Sequence, residues 1–377
     1  MLLELGSDQE FFRATTARFL DDQAPPAELR RLRDDPAGFT QDYWRRGADL
    51  GWTSLLVDEA LGGGSISGSG LIDLTLVAHE FGRHASPGPL VPTNVVAGAL
   101  SAATSHHDLV PGLLDGSSII AWCLGEGPPN DRLGEVHLEV RADGDEVVLR
   151  GAKRPVESAG EASHLLVVGR SGEGLTQVLV PADAPGLSIT PMHGVDLTRR
   201  FSRVTFDDVR VPADAVVGQV GKADEDVERQ LLHALVLTNA ESVGAMQAAF
   251  DMTVEWAFDR YSFGRPLASY QALKHRFAMM ATWLEASHAI SDEAAAAVAV
   301  GDPDGSELAG AAKAFVGEYG AELLQECVQL HGGIGVTFEH DLHLVLRRLT
   351  ADRALYGSPA EHRVRVAAHV LAEEDAS

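Results

Sequence analysis

The texture of the sequence changes twice, near residues 116 and 221, and this constrains the fold more than any single motif. Before the first change, "DQEFFRATTARFLDDQ" and "LIDLTLVAHEFGRHA" carry apolar residues at helical spacing, with the glycine-rich "GWTSLLVDEALGGGSISGSG" between them. Between the changes lie short β-branched runs: "SSIIAWCL", "VHLEV", "EVVLRG", "HLLVVGR", "TQVLVPA" and "RVTFDDVRVP". Gly, Pro and Asp separate them, as strands of a compact β-unit require. After the second change, long Ala- and Leu-rich helical segments return over 226–260, 266–300, 306–329 and 339–355. The expected architecture is α+β: an N-terminal helical domain over 1–115, a middle β-domain over 116–220 (a small sandwich or barrel), and a C-terminal helical bundle over 221–377.

Composition excludes several functions. With 377 residues, 45% of them hydrophobic, the chain can bury a large core. A net charge of -25 without a basic stripe argues against a nucleic-acid or anionic-membrane binder. It leaves room for basic residues gathered at one anionic ligand. Two cysteines, Cys123 and Cys327, provide neither a disulfide framework nor a zinc pattern. The start, MLLELGSDQEFF, carries charges too early for a secretory signal, and no apolar run reaches the ~20 residues of a membrane span. A cytoplasmic location is expected.

No G-x-G-x-x-G follows a strand, and Walker A, G-x-S-x-G and H-E-x-x-H are missing. His340 and His343 in "EHDLHL" are three apart, but beside acidic residues on an amphipathic helix they read as surface or interface residues, and no metal is expected. Two runs remain. In "DRYSFGRPLASYQALKHRFA" (259–278), Arg260 ends one helix, Phe263-Gly264 turns the chain and Pro266 can open the next helix. Gln271 then falls in its first turns. A guanidinium, a turn and an amide donor so grouped suit a phosphate or pyrophosphate, although an ordinary helical hairpin has the same spacing. In "QLHGGIGVTFEHDLHLVLRR" (329–348) a helix breaks at His331-Gly332-Gly333-Ile334-Gly335 and resumes at once. Glycines there let another group approach the backbone closely, or merely turn the chain.

Together these runs resemble the two C-terminal signatures of the acyl-CoA dehydrogenase family, and "GWTSLLVDEALGGGSISGSGLIDLTLVAHEFGRHASPGPL" resembles its N-terminal domain. The likeness spans essentially the whole chain and implies a C-terminal four-helix bundle. It implies FAD lying between one subunit's β-domain and its neighbour's bundle. Arg260 would reach the pyrophosphate, Phe263 would pack near the adenine, and Gln271 would bond the nucleotide. Gln329, Gly332 and Gly333, on the far side of the bundle, would approach the ADP part across the dimer interface.

The family pattern fails where chemistry would occur. The reaction removes a Cα proton with a carboxylate while a hydride leaves Cβ for the flavin. The family's usual glutamate position falls on Tyr356 in "LYGSP", and its alternative position on Ala234. The substitute expected here is Glu241, whose helical neighbours Ala234, Leu237, Thr238, Gly244, Ala245 and Ala248 are small or apolar. Such a face would desolvate the carboxylate, raise its pKa and leave room for a bulky acyl group. A structural Glu241 paired with Arg276 or Lys274 is the other reading. In the β-domain, the family's Thr-Glu-Pro-Gly-Ala-Gly-Ser-Asp-like run corresponds to "LGEGPPND" (124–131), and its Trp-Ile-Thr segment to "PVES" (155–158). Pro155 offers no indole face. Glu157 is a poor neighbour for a flavin that becomes anionic on reduction.

The function so implied is FAD-dependent α,β-dehydrogenation of an acyl-CoA thioester to the trans-2-enoyl-CoA, with electrons passed to an electron-transferring flavoprotein. The chain would act alone or in a heteromer resembling the actinobacterial steroid side-chain-degrading members, as a dimer or tetramer. The alternative is a non-catalytic subunit that completes a partner's FAD site. A flavin monooxygenase is a third possibility within the family; a nucleic-acid role is opposed by the acidic charge.

Overall fold

A computed structural model describes residues 5–127, 135–172 and 174–376. The N-terminal part consists of α1 (Ser7–Gln23), α2 (Pro26–Arg31), α3 (Gln41–Asp49), α4 (Gly70–His84), α5 (Leu90–Ala102) and α6 (Val110–Leu114). The Thr40 side chain caps α3 by accepting from the Tyr43 N–H. Trp52, fully buried, packs edge-on against Phe81 with ring centroids 4.9 Å apart, fastening the turn after α3 to α4.

The middle part is one eight-stranded sheet: β1 (Ile120–Cys123), β2 (Glu139–Asp143), β3 (Glu146–Glu157), β4 (His164–Ser171), β5 (Gly174–Pro181), β6 (Leu187–Met192), β7 (Phe201–Pro212) and β8 (Val216–Val217). The order is β6-β7-β3-β2-β4-β5-β8, with β1 added parallel to β4. Strand β6, "LSITPM", was not among the expected runs. It is mostly exposed, with only Leu187 and Ile189 half-buried, so it lacks the run of apolar residues by which buried strands are recognised.

Four helices form the C-terminal bundle: α7 (Asp224–Asp259), α8 (Gln271–Val300), α9 (Gly305–His331) and α10 (Leu342–Ala354), and α11 (Pro359–Ala376) packs on α9. Three acids in the first turn of α7 suit its positive end, and Asp224 also accepts from the Leu175 N–H on β5. A reciprocal amide pair, Gln177 with Gln230 at 2.6 and 3.1 Å, further joins sheet and bundle. Pro266 does not open α8 as expected. Tyr261–Ser262 (β9) and Arg265–Pro266 (β10) form a small hairpin, a 3-10 turn follows, and α8 starts at Gln271 itself.

Helices α4 and α7 touch backbone to backbone. A Cβ on Gly82 would meet the Glu241 carbonyl oxygen at 1.8 Å, and one on Gly244 would meet that of His79 at 1.9 Å. The small face around Glu241 is therefore a helix-packing surface and not acyl space. Among the described residues no helix is long and apolar enough to cross a membrane.

Candidate functional site

The six residues expected to bind cofactor are all exposed at one end of the bundle, where α7 ends, α8 begins and α9 ends. Phe263 is 97% exposed and has φ +49°, a left-handed conformation that a bulky side chain adopts only under constraint. Gly332 (φ +66°) and Gly333 have nothing within 4 Å of an added Cβ. The two signatures do not lie on opposite sides of the bundle. The Arg260 guanidinium sits 5.9 Å over the Trp256 ring, and Trp256 stacks on His331 at 5.4 Å. Arg260 and the His331-Gly-Gly turn thus share one edge. His331 also bonds the Cys327 carbonyl through Nδ1, and burial lowers its pKa, so the neutral ring that stacks is favoured.

Glu241 has different surroundings from those expected. It is fully buried, but two guanidiniums hold it: Arg199 Nη2 at 2.9 Å and Arg348 Nη1 at 2.6 Å. Neither Arg276, which pairs with Glu326, nor Lys274 is its partner. Arg199 also reaches Asp352 at 2.5 Å and Glu157 at 3.0 Å, and Arg348 reaches Asp196 at 2.5 Å. Lys313 donates to the Asp352 carbonyl. Three buried cations thus face four buried acids, drawn from the sheet, α7, α9 and α10. Each carboxyl oxygen of Glu241 is bonded to a guanidinium, so neither is open to a substrate proton. Glu241 is a buried member of an ion-pair network.

The excess acid shows at two members. Burial raises Glu157 to about 7, outweighing Arg199. Asp352 is pushed up by burial and by Glu241 beside it, while burial pushes Lys313 down. Asp196 goes the other way, to about 2; burial opposes ionisation, but Arg348 and its hydrogen bond prevail.

Glu157 also lines a cavity of about 100 Å³ with Trp122, Pro155, Phe201, Leu355 and Tyr356. Tyr356 stands 5.7 Å from Trp122, ring to ring, and burial followed by the nearby Glu157 charge holds its phenol far above its ordinary pKa. It is a neutral group there and no base. Ala234 is completely buried. Just behind the cavity, Lys153 is fully buried against Glu126 at 2.8 Å, and Glu126 also accepts from the His137 and Leu138 N–H groups. Residues 128–131 of "LGEGPPND" lie outside the described residues. Sequence reasoning missed the cluster because its members are 195 residues apart along the chain; the unpatterned Arg199-Arg200 in a loop was its one visible trace.

His340 and His343 serve local structure. The His340 Nδ1 accepts from the Leu342 N–H, and His343 bonds the Phe338 carbonyl while stacking on its ring at 4.6 Å.

Family models for the acyl-CoA dehydrogenase N-terminal, middle and C-terminal domains match residues 6–108, 132–209 and 225–371. The acyl-CoA dehydrogenase IpdE2 of Mycobacterium tuberculosis is 30% identical over 356 residues, 94% of either chain. The chain belongs to the acyl-CoA dehydrogenase family. The acyl-CoA dehydrogenase FadE12 of the same species is 31% identical over 315 residues, 80% of each. A solved Tcur3481–Tcur3483 steroid ACAD superposes with a TM-score of 0.89 at 29% identity, covering 99% of both chains. Butyryl-CoA dehydrogenase from Megasphaera elsdenii shares the fold with a TM-score of 0.88 at 21% identity, over 98% of this chain and 100% of its own.

The chain is accordingly an acyl-CoA dehydrogenase-type oxidoreductase, and FAD is its cofactor. The residues fit that group unequally. The bundle edge offers an exposed arginine, amides and uncovered glycines, which suits a diphosphate and its nucleoside. The cavity at Glu157 does not suit the flavin ring: ligand pockets measure roughly 300–1,000 Å³, and this one holds about 100 Å³ and a buried acid.

Proposed function

We propose that the chain works in flavin-dependent α,β-dehydrogenation of an acyl-CoA thioester, as one subunit of a heteromeric enzyme whose FAD it shares. Its bundle edge would take the ADP side of a flavin whose ring rests on a partner's β-domain. The observation that carries this reading is the contrast within one chain between an open bundle edge and a ring cavity of only about 100 Å³. FAD, when bound, supplies the hydride acceptor. This chain's own part is to hold the diphosphate with Arg260, to offer the amides of Gln271 and Gln329, and to admit the nucleotide against Gly332 and Gly333. Proton removal would fall to a carboxylate of the partner, since Tyr356 is a neutral phenol, Ala234 is sealed and Glu241 is tied to two arginines.

The name of the Tcur3481–Tcur3483 structure, which gives two chains and a steroid, supports a heteromer and a polycyclic acyl group. An electron-transferring flavoprotein would then collect the electrons. A cytoplasmic setting accords with both.

The test is the flavin-to-chain ratio of the purified chain, alone and co-expressed with a candidate partner of the same family. Colourless protein alone and yellow protein with the partner is the expected result. Arg260→Ala should weaken FAD retention by roughly tenfold, the scale of one charge-assisted hydrogen bond. A lone chain that carries one FAD and bleaches with an acyl-CoA would overturn the shared site.

A further inference from the structure

Glu157 has no task in the reading above, yet its placement is costly. It is 5% exposed, and neither carboxyl oxygen has a hydrogen bond among the described residues, although Arg199 Nε lies 3.0 Å from Oε1. Buried acids left without hydrogen bonds are uncommon and call for a reason. Trp122, Pro155, Phe201, Leu355 and the neutral Tyr356 surround it in the cavity, which Glu126, Glu135 and Arg154 also line.

We infer that Glu157, braced by Arg199, is a plug that keeps a flavin ring out of this chain's own β-domain, so that each copy serves one flavin site and not two. The inference rests on the shared-site reading and names the residue that enforces it. Three physical features support it. The first is space, because Trp122 and Tyr356 pack on each other at 5.7 Å and leave about 100 Å³. The second is surface: Pro155 presents neither a flat aromatic face nor an N–H.

The third is charge. The reduced ring is an anion, and beside it would stand a buried acid whose paired guanidinium, Arg199, is already engaged. Arg199 holds Glu241 at 2.9 Å and Asp352 at 2.5 Å with its other nitrogens. Within the cluster both arginines are already held by buried carboxylates, so an anionic ring would have to compete with them. Turning Arg199 towards a ligand would take from the Asp352 carboxylate its guanidinium, while Glu241 would keep Arg348 alone.

The test compares FAD content in the assembly purified with its partner, for the natural chain and for Pro155→Trp/Glu157→Thr, which restores the family's residues. The natural assembly should hold one FAD per two chains, and the double variant more. An assembly already holding one FAD per chain would overturn the plug, and so would a folded double variant that gains none. Glu157→Gln, close in shape but uncharged, guards against misfolding of the double variant. Lumiflavin, the ring without its nucleotide, is titrated into the full-length chain without a partner. Binding to the double variant should tighten by roughly tenfold or more over the natural chain, with Glu157→Gln giving the share due to charge, and binding unchanged in both would again overturn the plug. The lumiflavin comparison needs no partner, so it is independent of the shared site. Failure of the latter would show separately, as an FAD content that Arg260→Ala leaves unchanged.

Discussion

A single glutamate shows how the same residue can invite opposite readings. On a helical wheel Glu241 faces small and apolar neighbours, which in sequence looks like a desolvated base. In the folded chain two arginines, one from the loop before β7 and one from α10, reach it from positions 42 residues before and 107 after. Removing one partner of a buried pair leaves uncompensated charge, typically at a cost of about 3–5 kcal/mol. Glu241→Gln should therefore lower stability towards the bottom of that range, about 3 kcal/mol, because Arg199 keeps Asp352 and Arg348 keeps Asp196. A denaturant titration checks it. If the midpoint does not move while dehydrogenation disappears, Glu241 returns as a proton acceptor.

Glycines divide the elements into two kinds, and sequence alone does not separate them. Gly244 on α7 has no room for a Cβ, because the His79 carbonyl of α4 would lie 1.9 Å away. Gly333 after α9 faces nothing within 4 Å. Gly244→Ala should force the two helices apart and cost about 3 kcal/mol, the upper end for overpacking since backbone must yield. Gly333→Ala should change stability by less than about 0.5 kcal/mol and act only on ligand affinity. Thermal unfolding of both variants tests the contrast; equal losses would mean that the Gly332-Gly333 turn is structural. Element order and type were legible in the sequence because helical and strand periodicities are local. So was the cofactor edge, since Arg260, Phe263, Gln271 and the Gly-Gly turn lie in two short runs. Strand β6 was not, being mostly exposed and short of a continuous apolar run. The packing role of Gly244 was not either, because it depends on a helix more than 150 residues earlier.

At the scale of the molecule, the buried cluster joins three parts: Glu157, Asp196 and Arg199 from the sheet region, Glu241 and Lys313 from the bundle's centre, and Arg348 and Asp352 from α10. No residue within it announces the set, since ion pairing at this distance along the chain has no periodicity. It does have a titration signature. Glu157 is faced by Arg199 and Arg348, which favour its charge, and by Glu241 and Asp196, which oppose it; with burial the balance gives about 7 against 4.5 for an ordinary glutamate. The folded chain therefore holds a proton that the unfolded chain releases between those values. Stability from this group is complete below pH 4.5 and is lost as pH rises through 7, a change of at most about 3 kcal/mol. Half-buried His233 and buried His288 and His362, with lowered values of about 4, 3 and 4, act in the opposite sense below pH 6.5. The total profile would mix the two, so the informative quantity is the difference between the natural chain and Glu157→Gln, which cannot titrate. Unfolding measured at pH 5, 6, 7 and 8 should show the variant gaining on the natural chain by up to about 3 kcal/mol, nearly all of it by pH 8. A difference that stays flat across that range would mean that Glu157 is already ionised at pH 5 and that Arg199 neutralises it fully.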